Sequence, residues 1–238
     1  MPPNQNLLER KIKTVHRRLI QTYGEPQWRA HMPPLDELIS TILSQNTNDV
    51  NRDRAYQRLR ERFPRWNQVR DAPLEQVVEA IRPAGLANQK GPRIQKALRQ
   101  ITIERGELTL DFLADVPLKE ARDWLLRMDG VGPKTAAIVL LFSLGRPAFP
   151  VDTHVHRVSK RLGLIGTKVS AEKAHAILKD LIPSDWYYAL HLNFIRHGRQ
   201  TCRARKPNCE ACALNDVCDH YSRSRNENDA PTHPDPSR

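Results

Sequence analysis

The chain has 238 residues, enough for one large domain or two small ones with real cores, and 39% of them are hydrophobic, as in ordinary water-soluble proteins. No apolar run reaches the roughly 18–20 residues that a membrane-spanning helix requires, and residues 1–13 lack the apolar stretch of a secretory signal, so a cytoplasmic protein is expected. Lys and Arg number 38 against 27 Asp and Glu; the resulting charge of +11 favours a polyanionic partner without saying which one.

Helical periodicity dominates and strand signals are nearly absent, so an all-α fold is expected. Leu7, Ile12, Val15, Leu19 and Ile20 recur at helical spacing up to Gly24-Glu25-Pro26. Pro33 and Pro34 open a second helix whose apolar face carries Leu35, Leu38, Ile39, Ile42 and Leu43. Shorter helices are predicted over residues 50–63, 74–81 and 90–103, punctuated by Pro and Gly. Another starts at Pro117 and stops at Met128-Asp129-Gly130. Residues 135–144 are apolar almost all round, which predicts a helix buried on most sides. Helices over residues 152–162, 171–182 and 185–197 complete the set. Residues 222–238 carry no large apolar side chain and are expected to form a disordered tail.

Where two of these helices meet, Gly130-Val131-Gly132-Pro133-Lys134-Thr135 has the makings of a phosphate cradle. Both glycines permit positive φ and leave no Cβ in the way of a ligand. Pro133 suits the first helical position, and the free N–H groups of the helix start can donate to a phosphate oxygen. Gly-x-Gly turns also join helices in proteins that bind nothing.

The segment resembles the helix-hairpin-helix of the endonuclease III family, a group of DNA glycosylases and abasic-site lyases. Three further stretches carry the resemblance in the expected order: Gly85-Leu86-Ala87-Asn88-Gln89-Lys90, Val151-Asp152-Thr153-His154, and His197-Gly198-Arg199-Gln200-Thr201-Cys202. The likeness covers about residues 7–220. It implies two helical domains beside a DNA-binding cleft. One is a six-helix barrel over residues 28–146 that holds the hairpin; the other combines residues 1–27 with 147–221.

The resemblance also implies the chemistry. Lys134 matches the family's nucleophile and Asp152 its catalytic carboxylate. Breaking a glycosidic bond puts positive charge on the sugar, which a carboxylate stabilises. An amine that captures C1′ then forms a Schiff base, and loss of the 3′ phosphate follows by β-elimination. Asp152 equally suits an N-cap of the helix that follows it. The expected substrates are oxidised pyrimidines and abasic sites in double-stranded DNA, and the protein is expected to act as a monomer near the nucleoid.

All four cysteines fall in one stretch, spaced Cys202-x6-Cys209-x2-Cys212-x5-Cys218. Nothing points to an oxidising compartment, so a metal is a better reading than disulfides. Spacing alone does not separate zinc from iron–sulfur. The resemblance implies a [4Fe–4S] cluster, with the six-residue interval presenting Arg203, Arg205 and Lys206 to DNA alongside Arg199.

A base must leave the duplex to reach a lysine nucleophile, and the gap is filled by protein side chains. Leu86 matches the family's apolar wedge. The family's polar filler falls, in strict register, on Asn46, with Gln45 adjacent. The expected DNA contacts are therefore Gln45, Asn46, Leu86, Gly130, Val131, Gly132, Thr135, His154, Arg199, Arg203, Arg205 and Lys206. His156 is expected to face solvent. Two other functions fit parts of the pattern. A mismatch-specific glycosylase of the same superfamily typically has Ser or Tyr where Lys134 stands. A non-catalytic iron–sulfur damage sensor needs neither Lys134 nor Asp152.

Overall fold

The structure, a computed structural model, describes residues 3–228 and contains helices but no strand among them. The first helix, α1 (Pro3–Tyr23), belongs to one compact unit, made by residues up to Gln27 together with those from Val151 on. Residues 28–150 make the other. No helix among the described residues is long and apolar enough to cross a membrane.

The unit of residues 28–150 is organised on α2 (Pro34–Ser44). Proline in its first turn fits a position that needs no N–H, and Asp36 and Glu37 sit where a helix start favours negative charge. Its side chains are buried almost all round, which makes it the central helix of the unit rather than an amphipathic cover. Against it pack α3 (Asp49–Arg62), α6 (Ala87–Arg105) and α8 (Pro133–Ile138), with α4 (Trp66–Asp71), α5 (Leu74–Ile81) and α7 (Leu118–Leu126) outside them. Leu38, Ile39, Ile42 and Leu43 meet Leu59, Val77, Ile81, Ile94, Leu98, Leu125 and Leu140 in one continuous core. Each such side chain contributes about 1.5–3 kcal/mol of burial.

The apolar stretch after the hairpin does not stay α-helical. α8 passes into a π-helical turn, Val139–Ser143. Carbonyls there are met by outside donors: Trp28 Nε1 donates to Leu141 O at 2.8 Å and the His31 amide to Phe142 O at 3.0 Å. An all-apolar run carries no periodic signal that would distinguish an α from a π turn.

In the other unit, Ile12, Val15 and Leu19 of α1 are buried, as are Val155, Val158 and Leu162 of α9 (Thr153–Leu162). α10 (Ala171–Leu181) adds Ala174 and Leu178, and α11 (Tyr187–Gln200) adds Leu190 and Phe194. Asn193 of α11 donates to Gly24 O at 3.0 Å, tying the end of α1 to this helix. His16 stacks on Trp186 with ring centroids 4.2 Å apart.

Two expectations need correction. α4 is absent from the periodicity because six residues are too few to show any; it is set instead by the Gln68 side chain accepting from the Arg65 amide at 2.9 Å. The expected disorder from Ser222 does not hold for residues 222–228, which continue α12 (Asp219–Asn228). Local contacts support that helix: Ser222 Oγ donates to Cys218 O at 3.2 Å, and the Arg225 guanidinium lies 5.9 Å from the Tyr221 ring centroid. The rest of the expected tail, residues 229–238, lies outside the described residues.

Candidate functional site

The hairpin is built by the end of α7, a tight turn and the start of α8. Gly130 has φ +77°, the conformation that calls for glycine. Gly132 does not: its φ is −97°, where any residue fits, so only one of the two glycines serves the turn. What Gly132 does offer is room, since a Cβ there would meet no atom within 4 Å. Pro133 takes the first helical position, and Ala136 is the first residue of the turn whose amide bonds back, to Gly132 O at 3.0 Å. The amides of Lys134 and Thr135 therefore have no intrahelical acceptor, as at any helix start. The Thr135 and Val131 side chains are buried, which leaves their backbone as the part able to meet a ligand. Lys134, at the second helical position, is half-buried.

Two loops of the same unit carry the expected wedge and filler. Leu86 is 47% exposed although it is a leucine, and it holds φ +50°, directly after Gly85 at +67°. A left-handed leucine is strained by about 1–2 kcal/mol. Asn46 is likewise exposed and left-handed, with φ +52°. Its neighbour Gln45 is differently placed: Gln45 Nε2 donates to Gly130 O at 2.8 Å, so this side chain is tied to the hairpin. Behind both loops Lys90 lies 1% exposed, and its ammonium donates to Leu43 O and to Ala84 O, each at 2.8 Å. Burial pushes its amine down to about 8. Sequence reasoning quoted Lys90 only as the end of a motif. Its signal was the spacing Lys90, Ile94, Ala97, Leu98, Ile101, which puts it on the buried face of α6.

In the other unit, Asp152 caps α9. Its Oδ1 accepts from the Val155 amide at 2.7 Å, which fixes the direction of the half-buried carboxylate. His154 is turned onto its own unit: Arg157 Nη2 stands 3.1 Å from His154 Nδ1, and a Cβ on Gly198 would come within 2.8 Å of the same atom. Burial lowers the His154 imidazole below its ordinary range, while the Asp152 charge raises it in part. His156 does not face solvent as expected. It is half-buried, with Nε2 donating to Val169 O at 2.9 Å.

The cysteine segment leaves α11 and folds back under α9. The Cys202 amide donates to His197 O at 2.8 Å, and Leu214, fully buried, pins the far side. All four thiols are free and line one small pocket together with His197 and Tyr221. Burial pushes the Cys212 thiol up to about 11, and the three other cysteines push the same way. Four sulfurs that repel one another's charge across one cavity make a donor set suited to a cationic core. No group of three or more metal-binding side chains converges on a single ion position among the described residues. Two arginines that sequence reasoning did not single out hold the segment. Arg161 Nη1 stands 3.3 Å from Cys202 Sγ and 2.6 Å from Arg203 O, with Nη2 on Ala204 O at 3.0 Å; Arg157 Nε donates to Cys202 O at 3.1 Å. Arg203, Arg205 and Lys206 project from this braced loop and are exposed, as is Arg199 before it.

Comparison with known proteins places this arrangement. Residues 39–184 match the HhH-GPD superfamily of base excision DNA repair proteins. Endonuclease III of Thermotoga maritima is 34% identical over 212 residues, which span 89% of this chain and 94% of that protein. Endonuclease III of Sulfolobus acidocaldarius is 34% identical over 186 residues, 77% of this chain and 81% of its own length. Among solved structures, a non-covalent endonuclease III–DNA complex matches with a TM-score of 0.78 at 30% identity, covering 92% of this chain and 98% of that one. A trapped endonuclease III–DNA covalent intermediate matches with the same score and identity, over 91% and 98%. A helical protein with this hairpin, matched along most of its length by such relatives, belongs to the endonuclease III family of base excision DNA repair proteins.

Proposed function

We propose that this protein removes oxidised pyrimidines from duplex DNA and then cuts the strand at the abasic site, with Lys134 as the nucleophile. The observation that carries the reading is the place of Lys134, half-buried at the second position of the helix that leaves the glycine hairpin. Phosphate held on the free amides of that helix start would bring the sugar chain to the lysine. A related endonuclease III has been trapped as a covalent intermediate with DNA, which supports covalent capture of the substrate by a side chain such as Lys134.

The reaction runs in two stages. Lys134 Nζ forms a bond to C1′ as the glycosidic bond breaks, and the base departs with the bonding electrons and takes up a proton. The Asp152 carboxylate stabilises the positive charge that develops on the sugar. Ring opening gives an imine; C2′ then loses a proton and the 3′ phosphate leaves. Borohydride reduction should cross-link the wild-type protein to a thymine-glycol duplex. A Lys134→Gln variant that still cross-links would remove Lys134 from the role.

In the same reading Leu86 is the wedge and Asn46 the filler, because Gln45 is engaged with Gly130 O. The hairpin backbone, His154, Arg199, Arg203, Arg205 and Lys206 contact the DNA. The free thiols around one cavity favour a [4Fe–4S] cluster held by Cys202, Cys209, Cys212 and Cys218. When bound, that group supplies a cross-link for a segment too short to have a core of its own. Purified protein without iron and without broad visible absorption would overturn the assignment. The protein acts on DNA as a monomer, in the cytoplasm beside the nucleoid.

A further inference from the structure

Lys90 is among the largest fully buried side chains of the described residues, and the reaction described above gives it no part. A buried cation is costly, and a methionine or leucine would fill the same volume without that cost. What an apolar residue would not do is satisfy two backbone carbonyls at once. One is Leu43 O, in the last turn of α2; the other is Ala84 O, at the end of the 3-10 turn Arg82–Ala84. Both are C-terminal carbonyls, where helix dipoles favour a positive charge.

The two carbonyls share a second property. Leu43 lies three residues before Asn46, and Ala84 lies two before Leu86. Each tie therefore sits at the root of a loop whose exposed tip is held left-handed, at φ +52° and +50°. Gln45 adds a third tie, from the filler loop to the hairpin at Gly130 O. A wedge and a filler that enter one opened site must keep their offset to well within the base rise of about 3.4 Å. Loops anchored only at their own ends would not hold that offset.

We propose that Lys90 is a positioning residue: its ammonium locks the Asn46 loop and the Leu86 loop in one register, so that both tips enter the opened duplex together. The proposal rests on the insertion reading of Asn46 and Leu86. Its test compares two substrates under single-turnover conditions, a thymine-glycol duplex and a single-stranded oligonucleotide with an abasic site, which has no base stack to enter. Lys90→Met should lose ten-fold or more on the duplex and stay within two-fold on the single strand. In an Asn46→Ala/Leu86→Ala background, the same substitution should change duplex excision by less than two-fold. Equal losses on both substrates, an undiminished loss in that background, or wild-type duplex excision by folded Lys90→Met overturns the proposal. If Asn46→Ala/Leu86→Ala itself excises at the wild-type rate, the insertion reading fails and the register role with it. Should Lys90→Met not fold, Lys90→Leu, which likewise removes the donor, takes its place in the same cycle with the same criteria.

Discussion

Lys90 also makes a pH signature that is separate from its effect on the loops. Its folded-state value, about 8, lies below the ordinary 10.5 because burial disfavours the charge. Below pH 8 the amine is protonated in both folded and unfolded chains, and the penalty is constant. Between about 8 and 10.5 the unfolded chain binds more protons, so stability rises with pH. Melting temperatures of wild type measured against Lys90→Met should therefore shift in favour of wild type from pH 8 to pH 10; a flat difference contradicts this. Leu86 is expected to show a trade-off. Leu86→Gly relieves about 1–2 kcal/mol of left-handed strain but adds chain entropy worth about 0.4–1 kcal/mol to the unfolded state. The net is a protein more stable by about 0.5–1 kcal/mol in thermal denaturation, and slower on damaged duplex because the wedge is gone. A variant that is both less stable and equally active would contradict the strain and the wedge alike.

At the scale of elements, two glycines separate packing from binding. Gly198 of α11 stands where a Cβ would fall 2.8 Å from His154 Nδ1 and 3.0 Å from Arg157 Nη2. Gly198→Ala must push α9 and α11 apart or turn the imidazole, at a cost of about 1–3 kcal/mol by urea denaturation. Gly132→Ala meets open space at an ordinary φ, so its stability should stay within about 0.5 kcal/mol of wild type. A methyl there would nonetheless stand in the path of a phosphate, and duplex affinity should fall several-fold. Unchanged affinity would argue against the hairpin as a phosphate site.

The helices were legible wherever side chains alternate between buried and exposed faces. α1 and α9 show a 3.6-residue pattern between proline and glycine stops, whereas α2, buried almost all round, was marked by the prolines at its start. The π turn at Val139–Ser143 was not legible, because a segment buried all round has no face to read. α12 was misread for the opposite reason: its composition is polar throughout, and its support comes from Cys218 and Tyr221 rather than from a core. At the site, the glycine hairpin and the four cysteines stand out as local patterns. The roles of Gln45, Arg157 and Arg161 depend on carbonyls 85, 45 and 42 positions away. No local pattern encodes such partners.

For the molecule as a whole, the charge of +11 sets how it meets DNA. Each phosphate neutralised should add about 0.9 to the slope of log K against log salt. Arg203→Ala, Arg205→Ala and Lys206→Ala should each lower that slope by about 1 if the residue contacts a phosphate, as read by titration of a fluorescent duplex at several salt concentrations. A slope near zero for wild type would contradict electrostatic grip altogether.

The route of the chain imposes an order on biosynthesis. Residues 28–150 are continuous and carry their own core, so they are free to fold as soon as the ribosome releases them. α1 leaves the ribosome before residues 28–150 yet meets its main packing partner, α11, long after them: Gly24 and Asn193 are separated by 169 positions, and closing so long a loop is slow. Until α11 is made, the apolar stripe of Ile12, Val15 and Leu19 lacks its main partner, with α10 covering only part of α1. The newborn protein therefore passes through a stage in which α1 leaves apolar surface uncovered, and truncation just before α11 should leave that stripe open to chaperones and to aggregation.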